Sequence, residues 1–203
     1  MRLFLAVLFS GKFRKVLEKD IEILRQNAIK GNFVSSKNLH LTLTFLGETE
    51  EERLPRLMNL LDSFSGREGF SLTLDRLGSF PGRREIRHDG KKVEERLYWR
   101  GLKDEPILMQ LQQDLRKGVE GEGFSVDSKK FQPHITLARR CVLRSENKGN
   151  LGMWEIRKNQ TVGESATMEV NCFYLMESAS EGGRLCYRPL HRISLSRQQR
   201  IPV

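Results

Sequence analysis

The chain has 203 residues, enough to bury a core without disulfide or metal staples, as one large domain or two small lobes sharing a core. Lys and Arg outnumber Asp and Glu by 35 to 26, a formal charge of +9 that favours anionic partners, nucleic acid above all. Three cysteines with no CxxC spacing, Cys141, Cys172 and Cys186, argue against a disulfide framework and against zinc, and for a reducing compartment.

The opening MRLFLAVLFSGKFRK is apolar only over residues 3–9, and no small-x-small cleavage site follows. That is too short for a membrane span and wrong for a leader, so it reads as a first buried strand of a cytoplasmic protein. Residues 12–30 place Leu17, Ile21, Leu24 and Ala28 at helical spacing, with Gly31 and Asn32 as the stop. Residues 39–47 alternate as a strand. In it Phe45 shares the parity of Leu41 and Leu43 and is expected in the core. A second helix is expected from a capping box of Thr49 and Glu52, with Leu54, Leu57, Leu61 and Phe64 apolar, and Pro55 delaying or bending its start.

Residues 70–80 read as a strand, and 83–102 as a charged hairpin turning at Asp89-Gly90. A third helix is expected with Asp104 as N-cap, Pro106 in the first turn and Leu108, Leu111 and Leu115 on one face. FQPHITLARR is a strand following a proline. Residues 166–178 and 185–195 form a closing strand pair around ASEGGR, and the tail from Ser196 reads as loose. No linker or low-complexity stretch divides the chain.

His40 and His134 lie 94 residues apart, and the same offset aligns more. Leu3-Phe4 falls on Leu97-Tyr98, Leu17 on Leu111, Ile21 on Leu115, and His40-Leu-Thr42-Leu on His134-Ile-Thr136-Leu. Each half then reads strand, helix, His-x-Thr strand, an internal repeat that packs most naturally about a pseudo-twofold axis with one cleft between the motif strands.

Residues two apart on a strand share a face, so each half presents one imidazole beside one hydroxyl, opposite an apolar face. Two imidazoles with an ordinary pKa of about 6.5 supply a base and an acid near neutrality. Two hydroxyls supply donors to phosphate oxygens, and together these serve an in-line phosphoryl displacement without a metal or cofactor. One His-x-Thr on a strand is ordinarily structural; two in matched contexts reverse that. No third strong ligand has zinc spacing, and no Gly-x-Ser-x-Gly elbow is present. His88 lies in the charged hairpin and is expected to be solvated. His191, in PLHRISL, alternates with apolar residues and is expected to be structural. Tyr187 is a candidate base-stacking or rim residue.

NLHLTLTFLG and FQPHITLARR together resemble the paired signatures of the two-histidine phosphoesterase superfamily. Within it the chain is most similar to the bacterial and archaeal RNA 2′,3′-cyclic phosphodiesterases, also called 2′-5′ RNA ligase-like proteins. RLFLAVLF, LGSFPGRR, LYWRGL and FYLMES…GGRLCYRPLHRISL extend the resemblance over most of the chain. It implies a bilobal α+β fold, each lobe an antiparallel sheet with helices outside, and a cleft between them. It implies metal-free opening of RNA 2′,3′-cyclic phosphates to 2′-phosphates, with reversible 2′-5′ ligation where a 5′-hydroxyl replaces water. His40 and His134 match the catalytic histidines, Thr42 and Thr136 the phosphate-binding threonines, and Arg139 an arginine near the substrate.

Strict alternation places Arg139 on the face of Ile135, so it needs a bend to reach the cleft. His134 is assigned to activate water and His40 to protonate the departing 3′-oxygen, although the near-symmetry serves the opposite assignment almost as well. The expected partners are RNA ends or cyclic nucleotides, with no membrane, and the expected state is a monomer. A basic track is expected from Arg83, Arg84, Arg87, Lys91 and Lys92 to Arg139 and Arg140. Two rival readings stand: an RNA-binding module with a vestigial site, and a relative acting on ADP-ribose 1″,2″-cyclic phosphate or oligoadenylate.

Overall fold

The first strand, β1 (Arg2–Leu8), is apolar on both faces because both are covered. Leu3, Leu5 and Val7 enter the main core, while Phe4 and Ala6 join a smaller cluster with Met176 on the opposite side. The computed structural model describes residues 1–88, 91–126, 129–144 and 165–197, without the side chains of 83–88, 91–93 and 184.

Helix α1 (Gly11–Asn27) buries Phe13, Val16, Leu17, Ile21 and Leu24 along one stripe. Burial of each such side chain is worth about 1.5–3 kcal/mol. The helix stops at Asn27, earlier than Gly31, because Ala28 turns extended and begins β2 (Ala28–Phe33), which pairs with the second motif strand. Pairing overrode the helical pattern here. Strand β3 (His40–Glu48) carries the first motif.

Helix α2 (Leu54–Asp62) starts late, with Pro55 in its first turn where no intrahelical N–H is needed. The expected capping box does not form. Arg53 is the N-cap, and the Thr49 hydroxyl bonds Gly47 O instead. Strand β4 (Phe70–His88) is one long strand rather than two, with a register break between Pro81 and Glu85, and β5 (Lys91–Leu102) returns along it. The expected hairpin is therefore present, while its turn at Asp89-Gly90 lies outside the described residues. Helix α3 (Pro106–Gly121) is capped by Glu105, not Asp104; the Glu105 side chain accepts from Ile107 N, and Pro106 opens the helix.

Strand β6 (His134–Leu143) carries the second motif. The single strand expected over 166–178 is two. β7 (Thr167–Val170) joins β4, and β8 (Cys172–Glu181) joins the other sheet. β8 turns through Gly182 and Gly183, both at positive φ, into β9 (Arg184–Ser194). Most of the tail expected to be loose lies outside the described residues.

The fold is α+β, with two antiparallel sheets ordered β3-β1-β8-β9 and β2-β6-β5-β4-β7. The four-stranded sheet β3-β1-β8-β9 and the run β6-β5-β4-β7 follow the same walk, and α1 and α3 occupy the same place in it. β2 is the extra strand, on the outer edge of β6. The helices are exchanged between halves, α1 packing against β2 and β6 and α3 against β3. One apolar cluster therefore runs continuously from both sheets into all three helices.

Candidate active site

The two motif strands approach each other directly, and one cavity of about 630 Å³ lies between them. His40, Thr42, His134, Thr136 and Arg139 all line it. Leu41, Leu43, Ile135 and Leu137 are buried on the opposite face, as alternation requires.

Both histidines are held in the same way. The Nδ1–H of His40 donates to Asn38 O at 2.7 Å, and that of His134 to Gln132 O at 2.8 Å. A carbonyl only accepts, so each ring carries its proton on Nδ1 and leaves Nε2 as the basic atom. His40 Nε2 takes a bond from the Thr42 hydroxyl at 3.0 Å. Rings brace both imidazoles, Tyr187 and Phe80 edge-on and Phe4 tilted. Tyr187 and Phe4 each lie 5.0 Å from His40, and Phe80 lies 5.3 Å from His134. Trp99 backs His134 from 6.4 Å, over Gly78, where a Cβ would fall 2.2 Å from the indole. Burial pushes both imidazoles below their ordinary pKa. The carbonyl bonds oppose this, and the charge of Arg139 adds to it.

The bend Arg139 requires is a β-bulge at Leu137, where β6 has one more residue than β5 between Thr136 and Ala138. Leu137 and Ala138 are both buried, and Arg139 then faces outward. β3 has the same bulge at Leu43, so Leu43 and Thr44 are both buried and Phe45 emerges 46% exposed, lining the cavity. The expectation of Phe45 in the core is thus overturned. Alternation was read straight through a bulge that the matching position of Arg139 could have signalled.

Tyr187 is a half-buried brace on His40 and does not line the cavity. Arg140 leaves the expected basic track. A second irregularity sets it at φ 50°, and it pairs at 3.2 Å with the buried Glu95, which also binds Lys30. The hairpin cations Arg83, Arg84, Arg87, Lys91 and Lys92 have side chains outside the description, as has His88. Instead Arg116, Lys129 and Lys130 bring positive charge to the cavity wall, and Gln112 and Phe131 line it too. Sequence reading missed these because α3 and the segment before β6 are close only in the fold. His191 bonds Asp62 at 2.7 Å, tying β9 to α2. Cys141 is buried and its thiol pushed up to about 12 by burial. Among the described residues no three His, Cys, Asp or Glu converge on a metal-sized site, and no helix is long and apolar enough to cross a membrane.

The family model of LigT-like phosphoesterases matches residues 9–88 and 102–187. A Thermotoga maritima protein named RNA 2′,3′-cyclic phosphodiesterase is 33% identical over 140 residues, covering 68% of this chain and 70% of its own. One of that name from Archaeoglobus fulgidus is 31% identical over 180 residues, 88% of this chain and 91% of its own. The crystal structure of Escherichia coli LigT complexed with 3′-AMP superposes with a TM-score of 0.72 at 28% identity, covering 96% of this chain and 98% of that one.

Proposed function

Because the chain belongs to the LigT-like phosphoesterases, we propose that it is an RNA 2′,3′-cyclic phosphodiesterase, as its relatives are named. The observation that carries this reading is the pair of imidazoles, each with Nδ1 pinned by a carbonyl and Nε2 left basic, on one cavity with a threonine beside each.

The cyclic phosphate sits between the motif strands. Thr42 and Thr136 donate to its nonbridging oxygens, and Arg139 adds positive charge where the transition state gathers negative charge. One imidazole accepts a proton from water as its oxygen attacks phosphorus. The other, protonated, gives its proton to the 3′-oxygen as the P–O3′ bond breaks, leaving a 2′-phosphate and a free 3′-hydroxyl. The bound anion raises the pKa of the acid, offsetting the depression that burial imposes on the empty site. We assign the base to His134 and the acid to His40; a 5′-hydroxyl taking water's place as the attacking group in the same ring opening gives a 2′-5′ linkage, with the 3′-oxygen again leaving as the hydroxyl. The substrate class is RNA ends, for which the cationic wall of Arg116, Lys129 and Lys130 is suited.

The test is hydrolysis of nucleoside 2′,3′-cyclic phosphates by the purified chain, with product identified by phosphorus NMR and with a chelator in parallel. The expected product is the 2′-phosphate at an unchanged rate. No turnover, a 3′-phosphate product, or activity removed by chelator and restored by a divalent ion would overturn the reading.

A further inference from the structure

The bulges at Leu43 and Leu137 do not have the same support. A bulge takes a backbone carbonyl out of its regular ladder, and a buried carbonyl needs a donor. Leu137 O receives one from Val34 N at 2.9 Å, where the chain continues beyond β2 alongside β6. Among the described residues β3 has no such neighbour, being the outer strand of its sheet. Its bulge carbonyl, Leu43 O, is met by a side chain from the other half of the molecule: Gln112 Nε2 of α3, at 3.3 Å. Gln112 is itself buried, at 7% exposure, and lines the cavity.

We propose that Gln112 is a positioning residue for substrate binding: its amide stands in for the missing strand, fixes the bulge, and so holds Phe45 in the cleft. This rests on the reading of the cleft as a nucleotide site. Phe45 follows the bulge by two residues, whereas His40 and Thr42 precede it. Without the N–H from Gln112, β3 relieves its unpaired carbonyl by returning to regular alternation. That turns Phe45 toward the helices and Thr44 into the cleft, and leaves His40 and Thr42 where they are. An aromatic face exposed beside the phosphate-binding groups suits a nucleobase, so the loss falls on binding rather than on proton transfer.

The experiment compares wild type, Gln112→Met, Phe45→Ala and the double variant in the full chain. It reads KM and kcat on a cyclic mononucleotide, and Kd for 3′-AMP by calorimetry. Gln112→Met keeps the length and removes the donor; where it does not fold, Gln112→Glu, of the same length and also without the N–H, takes its place. Gln112→His retains a ring N–H and should keep a wild-type KM. Each single variant should raise KM and Kd about tenfold, the loss expected of one base-stacking aromatic. kcat should stay within about twofold, since the proton-transfer groups are untouched. The double variant should bind no worse than Phe45→Ala alone, because Gln112 acts through Phe45. Multiplying losses, an unchanged Kd in Gln112→Met, or a fall confined to kcat would overturn the assignment. Binding of 3′-AMP without hydrolysis would sink the phosphodiesterase while the Kd values still decide on Gln112; a wild type that binds no nucleotide would sink both.

Discussion

Phe45 and Arg139 occupy the same position of two strands 94 residues apart, and each enters the cleft two residues after a bulge. The repeat has kept the backbone device and changed the side chain it delivers. One side of the cleft gains an aromatic face and the other a cation. On the proposed reading, a symmetric pair of histidines and threonines thereby faces an asymmetric ligand, a base at one end and a phosphate near the other.

Arg139 should contribute to the pH dependence of the free enzyme. Its charge lowers both imidazoles, in addition to the larger effect of burial. The acid limb of kcat/KM reports the group that must be neutral, so it should lie below the ordinary imidazole value of about 6.5. Removing a nearby positive charge makes protonation easier, so Arg139→Gln should move that limb to higher pH. The two profiles, measured side by side, check the sign; a limb that stays put or moves lower would separate Arg139 from the histidines.

The two histidines should behave as one unit. His40→Ala and His134→Ala are each expected to lose at least about 10²-fold in kcat, the usual worth of a positioned acid or base. The double variant should fall far short of the product of the two losses. His191→Ala, which removes only a bond to Asp62 outside the cleft, should keep its kcat. Kinetics of the single and double variants under saturating substrate decide this. Wild-type turnover in either cleft variant would remove that residue from the mechanism.

What was legible in the sequence is what repeats with a short period. Leu41 and Leu43 against His40 and Thr42 marked a strand with one wet face, and the 94-residue offset marked a second copy of it. Arg139 was legible only as a conflict, since alternation put it on the wrong side. The same conflict was present at Phe45, but a phenylalanine on an apolar face raises no alarm. Bulges are set by pairing with β1 and β5, which single-strand periodicity does not contain. Likewise Ala28–Lys30 continued the pattern of α1 in sequence, and only pairing with β6 makes them the start of a strand. In the sequence Gln112 is a polar residue beside Leu111 on an amphipathic helix; its bond to Leu43 O exists because α3 crosses to the other half.

Stability should fall in mild acid. Both imidazoles have folded-state pKa values below the unfolded value of about 6.5. The unfolded chain therefore binds protons that the folded chain resists, and stability is full above that pH and declines as pH drops below it. Replacing both histidines by Asn should flatten the decline between neutrality and the carboxylate range. Denaturant midpoints across that window measure it, and equal slopes in variant and wild type would show that other groups carry the acid sensitivity.

The ion pair of Asp20 on α1 with Arg100 on β5, at 3.0 Å, should be a costly polar contact to break. The two side chains are only 2% and 4% exposed, and they join a helix of the first half to a strand of the second. Removing one partner deprives a buried charge of this ion pair, so Asp20→Ala or Arg100→Ala should each lose about 3–5 kcal/mol. Replacing both by apolar residues, Asp20→Leu with Arg100→Met, removes both desolvation costs and should be much milder than either single change. The order of the three denaturation midpoints is the test. A double variant as unstable as the single ones would mean that the pair fixes the approach of α1 to the second sheet by its geometry, beyond what apolar packing replaces.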